Sequence, residues 1–193
     1  MQFSKHIILA SKSPRRSQLL KEAGIPFTVK AKEVDESFPE DLASEEVAAF
    51  IAKKKAEASL DLIGPNDILL TADSIVLLDD VIYEKPKDYD DAIRILTKLS
   101  GSVHQVITGV CMRSLEKEVI FSSVAHVHIE ALSAEEIEYY IKNFEPYDKA
   151  GSYAIQEWIG LCKISKIEGT YTNIMGLPVD VVYKELVAWD ADR

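Results

Sequence analysis

An α/β fold built on a mixed sheet is the class this sequence predicts, and three observations predict it. Apolar runs of strand length, such as Ile7-Ile8-Leu9-Ala10 and Ile68-Leu69-Leu70, recur along the chain. Between them lie segments with helical spacing, as in Ala92, Ile93, Leu96 and Leu99. The 193 residues, 47% of them hydrophobic, hold no internal repeat, low-complexity tract or linker-like boundary. One domain over 1–193, divided at most into two lobes, can therefore bury a full core.

Each element follows from local pattern. Residues 7–10 read as a short buried strand that runs into Ser11-Lys12-Ser13-Pro14-Arg15-Arg16 and then a helix closed by Gly24. Ser13 can cap that helix and Pro14 suits its first turn, which places Arg15 and Arg16 beside backbone N–H groups that favour anions. A second strand over 27–31 precedes the acidic segment Glu33-Val34-Asp35-Glu36 and a helix from about 44 to 60 that carries Lys53, Lys54 and Lys55. Residues 68–73 and 75–78 are β-rich, and Asp79-Asp80 turns the chain back into 81–83 as a hairpin.

A helix over 88–99 ends at Ser100-Gly101, and strands over 103–112 and 119–129 are joined by a polar turn near Leu115-Glu116. Ser133-Ala134-Glu135-Glu136 is a capping box that starts a helix ending near Asn143. The stretch 144–156 is unperiodic, and loops of that length in a compact domain tend to be functional. A strand over 161–167, a loop over 169–178 and a last helix over 179–187 complete the reading.

Composition excludes several classes. With 22 Lys plus Arg against 32 Asp plus Glu, the net charge of −10 repels a nucleic-acid backbone, so no nucleic-acid partner is expected. A local cation cluster can still hold a small phosphorylated substrate. The apolar runs are far short of a membrane span, and the N-terminal stretch ends in Ser-Lys-Ser-Pro-Arg-Arg and not in a small-residue cleavage site, so neither membrane nor secretion is expected. Cys111 and Cys162 have no CxxC partner and fit a reducing cytoplasm.

Neither GxxxxGK[ST] nor GxGxxG after a strand is present. The sequence instead offers charged residues at strand ends and in loops: Arg15 and Arg16, Asp73 at the end of an apolar strand, Lys85 after the hairpin, and Asp148 with Lys149 in the long loop. Cations with carboxylates suit metal-assisted phosphate chemistry, although any one such residue is more often a solvated turn residue. His126 and His128 share a strand face but lack a third ligand and read as surface histidines. Tyr139 and Tyr140 read as packing residues.

As a set, these residues resemble one family. Leu9-Ala10-Ser11-Lys12-Ser13-Pro14-Arg15-Arg16 is similar to the LAS-x-SPRR motif of Maf proteins, and Ala72-Asp73-Ser74 resembles their A-D-T. Glu84-Lys85-Pro86 resembles G-K-P, Ser100-Gly101 with His104-Gln105-Val106-Ile107-Thr108 resembles SG…H-x-V-x-T, residues 148–156 resemble DKAG-x-Y-x-IQ, and Gly176-Leu177-Pro178 matches a closing GLP. The resemblance implies an α/β fold like that of the inosine triphosphate pyrophosphatases, a bent mixed sheet flanked by helices with two lobes around a deep cleft. It implies a nucleoside triphosphate pyrophosphatase, a divalent cation (Mg²⁺ or Mn²⁺), a homodimer, and a place in nucleotide-pool house-cleaning or in septum formation.

By the same resemblance Asp73 is the general base, and Arg15, Arg16, Lys55 and Lys85 hold the triphosphate and stabilise charge on the leaving pyrophosphate. Asp35 and Glu36, with Asp73, are the metal candidates. Ser13, Ser74, Asp148, Lys149 and Gln156 complete the substrate-binding set. Gln156 points to dTTP and UTP, because its amide offers one acceptor and one donor to the N3–H and O4 of uracil or thymine. A glutamate there marks the sister branch acting on 7-methyl-GTP. Glu157 and Trp158 stand where the family usually has glycine, and modified pyrimidine triphosphates fit the same edge. A different class of function, a nucleotide-binding regulator of cell division without turnover, has no use for a base at Asp73.

Overall fold

The structure, a computed structural model, describes residues 3–191, so of the N-terminal residues read for a leader Met1 and Gln2 lie outside the described part. The chain forms strands β1 (His6–Leu9), β2 (Phe27–Val29), β3 (Asp67–Leu78), β4 (Val81–Tyr83), β5 (Val103–Arg113), β6 (Glu118–Ile129) and β7 (Ile164–Glu168). Its helices are α1 (Pro14–Glu22), α2 (Val47–Ala58), α3 (Tyr89–Leu99), α4 (Ala134–Phe144), α5 (Trp158–Cys162), α6 (Tyr171–Ile174) and α7 (Val179–Ala191). The seven-stranded sheet has the order β2-β1-β3-β5-β6-β7, with β4 also on β3. It is mixed, as the alternation of strand and helix patterns predicted. Among the described residues no helix is long and apolar enough to cross a membrane.

The chain divides into two compact units. The first takes residues up to Asp73, Thr108–Ser123 and the chain from Gly176 on. In it β1 runs parallel to β2 and to β3, with Leu9 opposite Leu70, and a buried cluster of Ile8, Ala10, Ala52, Ala56, Leu69 and Cys111 joins the sheet to α2. Burial pushes the Cys111 thiol up to about 12, which leaves it inert. Helix α2 lies very close on β5: a Cβ on Gly109 would sit 2.2 Å from the Ala49 nitrogen and 2.3 Å from the Ala48 carbonyl carbon. Only a residue without a side chain lets this helix and strand touch backbone to backbone.

The second unit takes Ser74–Ile107 and Val124–Met175. There β4 pairs antiparallel with β3, closed by Asp79 and Asp80, both at positive φ (51° and 60°), as a two-residue turn of matching twist requires. Its core gathers Ile95, Leu96 and Leu99 of α3, Ile137, Tyr140 and Ile141 of α4, Val127 and Ile129 of β6, and Tyr153. Ser133 and Glu136 form the expected capping box on α4.

Several details differ from the sequence reading. Strand β3 does not end at Asp73 but continues to Leu78, because a ladder is made by backbone groups and tolerates the half-exposed Asp73 and Ser74 between buried neighbours. Ser13 holds the N-cap position of α1 without a side-chain cap bond; its N–H instead donates to Ser11 Oγ at 3.2 Å. Helix α5 takes in Leu161 and Cys162, the start of the strand expected over 161–167, and β7 begins only at Ile164. Tyr140 is fully buried as a packing residue, whereas Tyr139 is half-exposed and edges against Trp158 and Phe144. His126 is exposed and His128 pairs with Glu168 at 2.8 Å.

Candidate active site

In the first unit a charged cluster is assembled beyond the end of β1, where the chain leaves the sheet for α1 and β3 runs on past its last β1 partner, Leu70. This is the carboxyl end of a parallel pair, the usual place for a ligand in an α/β sheet. Thr71 and Asp73 are two apart on β3 and so share a face; Ala52 and Lys55 are three apart on α2 and share one too. The hydroxyl of Thr71, wholly buried, donates to the Ala52 carbonyl at 2.7 Å, and Lys55 Nζ meets Asp73 Oδ1 at 2.7 Å. Helix and strand are thus pinned at two successive rungs, the inner one by a residue that sequence reasoning passed over.

Lys55 Nζ also contacts Glu36 Oε1 at 2.6 Å, so one ammonium is shared by two carboxylates. The neighbouring lysines point elsewhere, as a turn of about 100° per residue demands. Lys54 reaches Asp35 at 2.9 Å and Lys53 reaches Glu118 at 3.6 Å. Asp35 and Glu36, grouped together in the sequence reading, therefore diverge. Asp35 is turned to Ser37 and Lys54, whose hydrogen bonds hold its carboxyl down at about 2. Among the described residues no group of three or more His, Cys, Asp and Glu side chains is arranged as a metal site.

Arg16 is held by the far end of the chain. Its Nε donates to the Gly176 carbonyl at 2.7 Å and its Nη1 to Ser11 Oγ at 3.3 Å. The Gly-Leu-Pro segment thus anchors an arginine 160 positions earlier. Desolvation lowers the Arg16 pKa from its ordinary value, the Asp73 and Glu36 carboxylates oppose that shift, and Arg15 adds to it. Arg15 is half-exposed nearby on α1, and Ser13 is half-exposed at its start.

The second unit carries the remaining candidates. Lys85 is exposed just after β4, and the Glu84 carbonyl before it accepts the Gly151 N–H at 3.2 Å. Gly151 has φ 72°, and a Cβ there would press to 2.8 Å from Val76 Cγ2. The long stretch is no open loop but a 3₁₀ turn, Pro146–Asp148, and a second turn over Ala150–Ser152 in which Gly151 and Ser152 both take positive φ, leading to α5. Lys149 is 8% exposed and faces Asp148 at 2.8 Å and Glu157 at 3.4 Å, so its charge is engaged within the protein. Asp148 and Gln156 are exposed and Ser74 is half-exposed.

Tyr153 Oη and His104 Nε2 are 2.7 Å apart in the core of this unit, and burial alone lowers the His104 pKa from 6.5 to about 4. The folded value lies below the unfolded one, so between pH 6.5 and about 4 the unfolded chain binds the additional proton and acidification favours unfolding. Stability is expected to fall by about 3 kcal/mol across that window, following ~1.4 kcal/mol per unit. Urea denaturation from pH 7 to 4 on the wild type and His104→Gln reads it, and equal slopes for the two proteins rule the histidine out.

Comparison with known proteins follows the same residues. A profile described as Maf-like protein matches residues 6–189. A protein of Phocaeicola vulgatus named dTTP/UTP pyrophosphatase is 49% identical over 93% of this chain and 94% of its own length. Proteins of the same name from Bacteroides fragilis (46% identical, 93% and 94% covered) and Flavobacterium psychrophilum (47%, 94% and 93%) are similarly related. Among solved structures, the Staphylococcus aureus Ham1 protein overlaps 65% of this chain and 72% of its own with a TM-score of 0.48 and 17% identity.

Proposed function

This chain belongs to the Maf-like protein family, and from that premise we propose that it hydrolyses dTTP and UTP to the monophosphate and pyrophosphate. The observation that carries the chemistry is the Lys55 ammonium held at 2.7 Å by Asp73 and 2.6 Å by Glu36, with half-buried Arg16 feeling both carboxylates. In this reading Asp73 takes a proton from water as the water oxygen bonds to the α-phosphorus. The bond from that phosphorus to the bridging oxygen breaks, and pyrophosphate leaves with the bond's electrons. Arg15, Arg16, Lys55 and Lys85 hold the phosphates and offset the charge that grows on the leaving group, which is positioning plus electrostatics.

The residues fit a hard divalent cation, because two carboxylate oxygens, of Glu36 and Asp73, already converge on one positive atom. Mg²⁺ or Mn²⁺ would be held by the carboxylates of Glu36 and Asp73. Bound there, it would neutralise phosphate charge. Asp35, tied to Lys54 and Ser37, would act at a distance by holding the segment that carries Glu36. Ser13 and Ser74 would donate to phosphate or sugar, Gln156 would read the base, and Asp148 and Lys149 would shape the segment before it. A cytoplasmic homodimer completes the proposal.

Pyrophosphate release with Mg²⁺ or Mn²⁺, measured over dTTP, UTP, CTP, dATP, GTP and 7-methyl-GTP, tests it. We expect preference for dTTP and UTP, and in Gln156→Glu a fall of about 100-fold in kcat/KM for both, since a carboxylate cannot donate to O4. Wild-type preference for 7-methyl-GTP would sink the base reading. Binding without turnover of any nucleotide would move the protein to the regulatory class.

A further inference from the structure

We propose that one hydroxyl, that of Tyr140, clamps both ends of the turn whose tip carries Gln156, and that Tyr140 with Glu157 are positioning residues for base selection. The inference rests on Gln156 as the base-reading residue.

The clamp is read from the second unit alone. The Glu157 N–H donates to the Ala154 carbonyl at 3.1 Å, so Ala154 to Glu157 is a tight turn with Ile155 and Gln156 at its tip. Ile155 is 4% exposed and points inward, whereas Gln156 is exposed. The Tyr140 oxygen accepts the Ala154 N–H at 3.0 Å at the start of the turn, and its O–H donates to the Glu157 carboxylate at the end. A single atom therefore spans the turn. Tyr140 is wholly buried on α4, its ring stacked on Phe144 at 4.9 Å, so the hydroxyl is set by the helix and not by the turn.

The carboxylate is held from its other side by Lys149 at 3.4 Å, which ties the turn to the preceding 3₁₀ segment. Tyr153, next to the turn, is fixed independently by His104 at 2.7 Å. Behind the tip, a Cβ on Gly160 would lie 1.7 Å from the Ile155 carbonyl oxygen, so α5 closes on the turn through a residue that has none.

A glutamine needs such a mount. Half a turn of its amide exchanges donor for acceptor, and a carboxamide on a mobile turn would suit cytosine as well as uracil. Holding the half-buried Glu157 beside a buried phenol is costly to stability unless both are paired, which the hydroxyl and Lys149 accomplish. Burial and Glu157 raise the Tyr140 pKa, so the phenol keeps its proton and continues to donate.

The test uses kcat and KM for UTP and CTP in the wild type, Tyr140→Phe and Glu157→Gln, with amide hydrogen exchange at Ala154. In Tyr140→Phe the ring and its packing stay. KM for UTP is expected to rise about tenfold with kcat changed less than about threefold, and UTP-over-CTP selectivity to fall about tenfold. Glu157→Gln keeps an acceptor for the hydroxyl but removes the charge that Lys149 meets at 3.4 Å, and is expected to lower the same selectivity by about threefold. A uniform loss of kcat for both nucleotides, or unchanged selectivity, overturns the proposal. If the wild type does not prefer UTP, the substrate reading is what fails, and Ala154 then decides the clamp: exchange about tenfold faster in Tyr140→Phe supports it, and unchanged exchange overturns it.

Discussion

Replacing Asp73 with asparagine is expected to lower kcat for dTTP and UTP by about a thousandfold, within the 10²–10⁴ that general-base catalysis contributes. Asparagine has the same shape and leaves β3 and its backbone ladder intact. It removes the proton acceptor, and it removes one of the two carboxylates that Lys55 contacts at 2.7 and 2.6 Å. Measured without divalent metal, nucleotide affinity should hold or tighten, because a negative charge has been taken from a site that receives a triphosphate. Single-turnover kinetics and equilibrium nucleotide binding separate the two effects. A variant that keeps more than about a tenth of its turnover would exclude Asp73 as the base.

Gly109→Ala is expected to destabilise the protein by about 3 kcal/mol or more. The added carbon would meet Ala49 N at 2.2 Å, Ala48 C at 2.3 Å and Ala48 O at 2.4 Å, all of them backbone atoms that cannot rotate aside. Helix α2 must lift, and it buries Val47, Ala48, Ile51, Ala52 and Ala56. Overpacking costs of about 1–3 kcal/mol arise when side chains give way, and here a whole helix must. Because α2 carries Lys55, activity should fall with stability. Gly64→Ala is the control: its nearest contact would be the Asp67 carboxylate at an ordinary 3.6 Å. Thermal and urea midpoints of the two variants should separate clearly, by about 10 °C for the first. Equal midpoints would show that helix and strand are not in close contact at Gly109.

The candidate site was partly legible. Asp73, Lys55, Arg16 and Glu36 were each singled out, by position or by the motif they belong to, and the structure brings all four into the first unit. What spacing alone did not tell was which lysine of three consecutive ones reaches Asp73, although the motif pointed to Lys55, or that Asp35 and Glu36 part company. Helical phase fixes relative directions on α2 but not its rotation over the sheet. That rotation is set by the Thr71 hydroxyl on the Ala52 carbonyl and by the contact at Gly109. The closing Gly-Leu-Pro likewise gave no hint that its first carbonyl would hold Arg16.

By itself the sequence determined the α/β class, most strands, the capping box at Ser133 and the absence of a dinucleotide or P-loop motif, since periodicity and turn chemistry act over a few residues and are written locally. Tertiary structure alone decided that β3 runs unbroken through Asp73, that Lys149 is buried against Glu157, and that Tyr140 grips both ends of the Gln156 turn. Each of these depends on partners brought together by packing from distant positions, where a hydrogen bond of about 3 Å is either made or missed by a small shift of a helix. Periodicity places a side chain on a face; only the packed neighbour determines what that face meets.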